Sequence, residues 1–172
     1  LLTQTRSVGR YDSRFEGIEY DQGSSTSDFD ASEKSITSAF AAAFHQHLAR
    51  DLHYKADSAY QVFNDHVLGA WDWKHDAWWG EALNVPYAAA DLAEAMRQNP
   101  HLKVLAANGY FDLATPFFAT EYDLAHMGLE PSLRKNLRVT YYPTGHMIYL
   151  DDAGLHALKG DLARFYDDAT AR

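Results

Sequence analysis

Apolar residues recur at helical spacing from Ile36 through Phe40, Ala43, Phe44 and Leu48 to Leu52, which predicts a helix from about Ser32 to about Leu52. Asp30 stands before it and Glu33 follows three positions later, the spacing of a capping box with Asp in place of Ser or Thr. Ahead of this helix, residues 1–29 are rich in Gly, Ser, Asp and Tyr and keep no period, so they read as an extended, loop-dominated leading segment. After it, Tyr60, Val62 and Phe63 suggest a short element. The stretch from Gly69 to Gly80 then carries all four tryptophans of the chain, which sets it apart from an ordinary surface loop.

The pattern changes beyond Pro86. That proline suits the first turn of a helix over Tyr87–Gln98, and Asn99-Pro100 stops it. Lys103–Ala107 reads as a strand, followed by a helix from about Pro116 to about His126 and a turn through Gly128 and Pro131. A second strand covers Arg138–Tyr142, and a last helix runs from about Ala153 to Tyr166. Apolar strands alternating with helices place the chain in the α/β class, with a parallel-type sheet covered by helices. Two such strands do not make a stable open sheet by themselves, so further strands are expected beside them.

Composition narrows the possible partners. The chain has 172 residues, 47% hydrophobic and 14% aromatic, which fits one globular domain with a sizeable core. With 15 basic against 24 acidic residues, a net charge of −9 and a pI near 5.3, it lacks the cationic surface that nucleic acid requires. The absence of cysteine excludes disulfides and thiolate metal sites. No apolar run approaches the ~20 residues of a membrane-spanning helix, and the start Leu1-Leu2-Thr3-Gln4-Thr5-Arg6 shows no signal peptide. Neither nucleic acid nor membrane is expected as a partner.

Two positions carry candidate chemistry. Asp112 follows the apolar run Val104-Leu-Ala-Ala-Asn-Gly-Tyr-Phe, and His146 follows Val139-Thr-Tyr-Tyr-Pro-Thr-Gly. Acid before histidine, each just past a strand, is the order of these groups in an α/β-hydrolase triad. Taken singly, Asp112 can instead cap the helix near Pro116 or close a turn with Gly109, and His146 is one of nine histidines. The nucleophile is missing. No Gly-x-Ser-x-Gly elbow occurs, and Gly23-Ser24-Ser25-Thr26-Ser27 ends in Ser within a polar loop. His45 and His47, two apart on a helix, point in different directions and cannot share an ion. No metal and no cofactor is expected.

The run VLAANGYFDLATPFFATEYDLAHMGLEPSLRKNLRVTYYPTGHMIYLD closely resembles the C-terminal region of the serine carboxypeptidase-like family, in its bacterial branch. In that family a Gly-x-x-Asp turn followed by Thr-Pro carries the acid and Gly-His-Met carries the histidine. VGRYDSRFEG near the start and the Trp71-Asp72-Trp73 run also look like the family. The resemblance implies Asp112 and His146 as triad residues, with Gly109, Thr115, Pro116, Gly145 and Met147 as motif neighbours. It implies a leading segment over residues 1–29, a helical cap insertion over 30–79 and the C-terminal part of an α/β-hydrolase core over 80–172.

By the same resemblance the activity would be release of C-terminal amino acids from peptides, in a secreted or periplasmic protein. The serine would lie on an N-terminal segment or companion chain that covers an apolar surface on Lys103–Ala107. Met147, Trp71 and Trp73 would bind substrate, or Trp71, Trp73, Trp78 and Trp79 would instead pack a cap against a core. An esterase or acyltransferase using the same triad, and a non-catalytic binding fragment, remain open as alternatives.

Overall fold

Two parallel strands form the spine of the molecule, as seen in a computed structural model that describes residues 2–3, 6–18, 30–55, 60–61, 64–77, 79–80 and 82–171. In chain order the elements are β1 (Leu2–Thr3), β2 (Arg6–Val8), β3 (Glu16–Ile18), α1 (Ala31–Arg50), α2 (Asp65–Ala70), β4 (His75–Asp76) and β5 (Ala82–Leu83). They continue with α3 (Ala88–Gln98), β6 (Val104–Gly109), α4 (Phe117–His126), α5 (Pro131–Arg134), β7 (Leu137–Tyr142), a 3-10 turn at Ile148–Leu150 and α6 (Asp152–Thr170).

β6 and β7 pair in parallel from Val104↔Leu137 to Gly109↔Tyr142. Because side chains alternate along a strand, Leu137 and Arg138 serve opposite faces. On one face Val104 and Leu137 meet a cluster of Ala93 and Met96 from α3 with Met127 and Leu129 from the segment after α4. On the other, Tyr142 donates to Asp161 at 2.8 Å and Arg138 pairs with Asp168 at 3.4 Å, both on α6. The chain is therefore mixed α/β with a small parallel sheet and covering helices.

The helix on Ile36–Leu48 forms where its pattern indicates. Asp30 caps it, its Oδ1 accepting from Glu33 N at 2.9 Å, and α1 spans 20 residues. Its apolar stripe, however, finds little to cover it: Phe40 and Phe44 remain exposed, as does Leu52 just past the helix end.

Other expectations shift. The leading segment holds an antiparallel three-stranded sheet, in the order β1-β2-β3, where only loop was expected. The helix near the tryptophans is Asp65–Ala70; Val62 and Phe63 lie outside the described residues. The Trp-rich stretch continues into a hairpin of β4 and β5, so the 30–79 region is not wholly helical. Pro86 precedes α3 by two positions, with Tyr87 as its cap residue. Pro131 opens a four-residue helix instead of marking only a turn, since its fixed φ suits the first helical position.

Candidate active site

The end of β6 and the end of β7 stay together past the ladder. Tyr110 N donates to Tyr142 O at 2.9 Å and Phe111 N to Thr144 O at 3.0 Å. Gly109 makes this approach possible, because a Cβ there would overlap the carbonyl oxygens of Thr144 and Gly145. The chain then turns, with Asp112 N donating to Gly109 O at 3.3 Å.

Asp112 is buried, with 5% of its surface exposed, and both carboxylate oxygens are engaged. Oδ1 accepts from the main-chain N–H of Ala114 at 2.8 Å and of Thr115 at 3.0 Å, while Oδ2 accepts from Thr115 Oγ1 at 2.7 Å. Oδ2 also lies 2.8 Å from His146 Nδ1. Turn former and histidine partner are thus one and the same residue. The capping alternative does not hold, since α4 starts at Phe117 with Pro116 at its cap position. Burial pushes the Asp112 carboxyl upward. The Thr115 N–H and hydroxyl, His146 and the Ala114 N–H together outweigh it and hold the carboxyl below its ordinary value.

An ionised carboxylate only accepts hydrogen bonds, so the contact fixes the proton on Nδ1 of His146. Thr115 Oγ1, at 3.2 Å from Nδ1, braces the same edge of the ring. In the neutral imidazole this leaves the lone pair on Nε2, at the far side of a ring that is 41% exposed. The arrangement can take a proton at Nε2 while Asp112 stabilises the resulting imidazolium.

Residues 9–15 complete the site. The Tyr11 carbonyl accepts from His146 N at 2.7 Å, and the Tyr11 ring stands 5.4 Å from the imidazole. Leu113 N donates to Arg10 O and Ser13 N to Phe111 O, each at 2.9 Å. Arg14 Nη1 donates to Pro143 O at 3.0 Å. Apart from the family-like VGRYDSRFEG run, no local pattern in the sequence marks these residues, because their partners lie at the other end of the chain.

Met147 lines a cavity of about 210 Å³ with Tyr11, Ile36, Thr37, Phe40 and His146. Trp71 and Trp73 lie elsewhere. Their rings sit 6.4 Å apart, 59% and 60% exposed. Trp71 borders a separate hollow with His66, Val67, Ala70 and Asp72. The site therefore gathers Asp112, His146 and Met147 but not the tryptophan pair; Trp78 lies outside the described residues. Among the described residues no group of three or more His, Asp or Glu side chains is placed to hold a metal ion. Among the described residues no serine hydroxyl is hydrogen-bonded to His146, and no described helix is long and apolar enough to cross a membrane.

Compared with known proteins, the chain matches no family model, no curated protein and no solved structure.

Proposed function

We propose that Asp112 and His146 are the acid and the base of a Ser-His-Asp triad in a serine carboxypeptidase-like hydrolase of the α/β-hydrolase fold. The serine comes from an N-terminal segment or a companion chain. The observation that carries this reading is the 2.8 Å contact from Asp112 Oδ2 to His146 Nδ1. It joins a buried, fully hydrogen-bonded carboxylate to an imidazole whose other nitrogen is left for a reacting group.

In this mechanism Nε2 of His146 removes the hydroxyl proton as the serine oxygen attacks the carbonyl carbon of the scissile bond. The imidazolium then returns that proton to the leaving amine, and an acyl-serine ester remains. Water, deprotonated by the same Nε2, attacks the ester carbonyl; the bond to the serine oxygen breaks, the imidazolium returns the proton to that oxygen, and the acid is freed. Asp112 keeps the tautomer fixed through both halves. The reaction class is removal of a C-terminal amino acid from a peptide.

The sheet supports the need for a complementary segment. Parallel strands are ordinarily covered on both faces and flanked by neighbours. Among the described residues β7 alone pairs with β6, which leaves Val104, Leu105 and Ala106 half-buried and Ala107 exposed.

The test has two parts. Intact mass and N-terminal sequencing of purified material under denaturing conditions identify any serine-bearing polypeptide that accompanies the chain. Hydrolysis of a blocked dipeptide and of a simple ester is then measured on that assembly. His146→Ala and Asp112→Asn are each expected to lower kcat/KM for the dipeptide by about 10³-fold or more. Peptide hydrolysis that survives both substitutions overturns the reading, as does a chain that purifies folded, alone and inactive. Ester turnover without dipeptide turnover replaces peptidase by esterase.

A further inference from the structure

We infer that the strap Gly9–Phe15 is the positioning element for His146, and that Arg14 is its principal side chain. The inference rests on the triad reading of Asp112 and His146.

The strap holds the histidine loop from two sides. Upstream, Arg14 Nη1 donates to the carbonyl of Pro143 at 3.0 Å; at the histidine itself, the Tyr11 carbonyl accepts from His146 N at 2.7 Å. Between them Gly145 is seated so closely on the Tyr11 carbonyl and the Asp12 side chain that a Cβ would collide with both. The same strap holds the acid loop, through Ser13 N to Phe111 O and Leu113 N to Arg10 O, both at 2.9 Å. One short segment is therefore the common template against which the acid and the base are set. A hydrogen bond between them survives only over a window of a few tenths of an ångström, so the template decides whether the pair is made.

Arg14 suits this work for a geometric reason. Its Nε lies 2.9 and 3.2 Å from the two Asp12 oxygens and its Nη2 lies 2.6 Å from Oδ2. That fork fixes the plane of the guanidinium and aims Nη1 at Pro143. Lysine offers a single cationic head and cannot grip Asp12 and span to Pro143 together. The ion pair by itself explains little, because Arg14 is 39% exposed and pairs open to water contribute little to stability. The strap is anchored at its start as well, where Arg10 N donates to Asp30 Oδ2 at 2.5 Å.

The experiment follows the ring Nδ1–H of His146 by NMR in the purified protein, together with any serine-bearing polypeptide that accompanies it, with His146→Gln assigning the resonance, and measures its exchange with water. In the wild type the proton is expected at low field and slow to exchange, and Asp112→Asn is expected to remove it. Arg14→Ala is expected to speed exchange by about tenfold, the factor that loss of one charge-assisted contact implies, while far-UV circular dichroism stays unchanged. Arg14→Lys moves exchange in the same direction by less.

Wild-type exchange in both Arg14 variants, with the proton lost in Asp112→Asn, overturns the strap and leaves the triad pair standing. A proton that persists in Asp112→Asn overturns the pair, and the inference with it. Should Arg14→Ala fail to fold, Arg14→Lys decides: faster exchange supports the strap and unchanged exchange overturns it.

Discussion

Residues 104–147, with the strap packed against them, and residues 36–55 with 64–76 use similar side chains to opposite ends. In the first region polar groups are placed by hydrogen bonds: four are made at the Asp112 carboxylate, two from main-chain N–H groups and two from side chains, and the His146 loop is held at Pro143 and at His146 N. In the second, Phe40, Phe44, Val67, Trp71 and Trp73 face outward. The difference teaches that a helical stripe of apolar residues marks a face meant for burial without saying what buries it. An exposed aromatic face of this extent is atypical of a self-sufficient domain. The site pair, by contrast, is made within the chain.

The largest expected effect comes from placing the same methyl group in each region. Gly109→Ala drives a Cβ into the carbonyls of Thr144 and Gly145, where main chain on both sides cannot yield without opening the site. A loss of about 3 kcal/mol or more in urea unfolding is expected. Gly69, on α2, has nothing within 4 Å of the place a methyl group would take, so Gly69→Ala is expected within about 0.5 kcal/mol of wild type or slightly more stable. Equal effects at the two positions would dissolve the distinction between a tightly set region and an open one.

How far these regions could be read from sequence follows the range of the contacts. Asp30 and the period from Ile36 place α1 to within two residues at either end, because a cap and a helical repeat are local signals. β6 and β7 are legible as apolar runs ended by turn residues, and the observed strands run from Val104 and Leu137. The three-residue strands of the leading segment are too short to display a period, so they read as loop. Asp112 and His146 could be singled out because each stands just beyond a strand. The roles of Tyr11 and Arg14 could not, since nothing near them names Pro143 or His146 as partners. Exposure of Phe40 and Phe44 was equally illegible: periodicity reports a face, and only the fold reports its neighbour.

A smaller effect tests whether the buried carboxylate sets the acid limit of the ordered region. The folded-state pKa of Asp112 is depressed, so its contribution to stability is present above its unfolded pKa of about 3.9 and is lost as pH falls through the lower folded value. Asp112→Asn is expected to cost about 1–3 kcal/mol at neutral pH, the scale of hydrogen bonds to a charged group. It is also expected to flatten the fall in stability below about pH 4. Urea midpoints measured from pH 3 to pH 7 check both expectations. An acid limb as steep in the variant as in the wild type would show that other carboxylates set it. Asp30 and Asp161 are the named rivals, each held low by its own partners: for Asp30 burial opposes Ser32 and the Glu33 N–H, and for Asp161 the Tyr142 hydroxyl leads.

The smallest effect separates an aromatic group held in place from one left open. Tyr141 stacks on Tyr110 with ring centroids 5.6 Å apart, and Phe117 meets both edge-on. Its hydroxyl donates to Glu121, and that hydrogen bond, with burial second, pushes the Tyr141 pKa up to about 12. The sign is that of a raised group: the stabilisation is whole below the ordinary tyrosine value of about 10 and is lost as pH rises through the folded value. Glu121→Gln removes the carboxylate that repels the phenolate and is expected to return Tyr141 toward about 10. Near-ultraviolet tyrosinate absorbance across an alkaline titration reads this directly as one tyrosine leaving the late-titrating class. Because the pair lies at the surface, the change in stability at neutral pH should stay within about 1 kcal/mol. If no tyrosine titrates late in the wild type, the Tyr110–Tyr141–Phe117 group is no better fixed than Trp71 and Trp73, and the boundary between the two regions moves inward to Asp112 and His146 themselves.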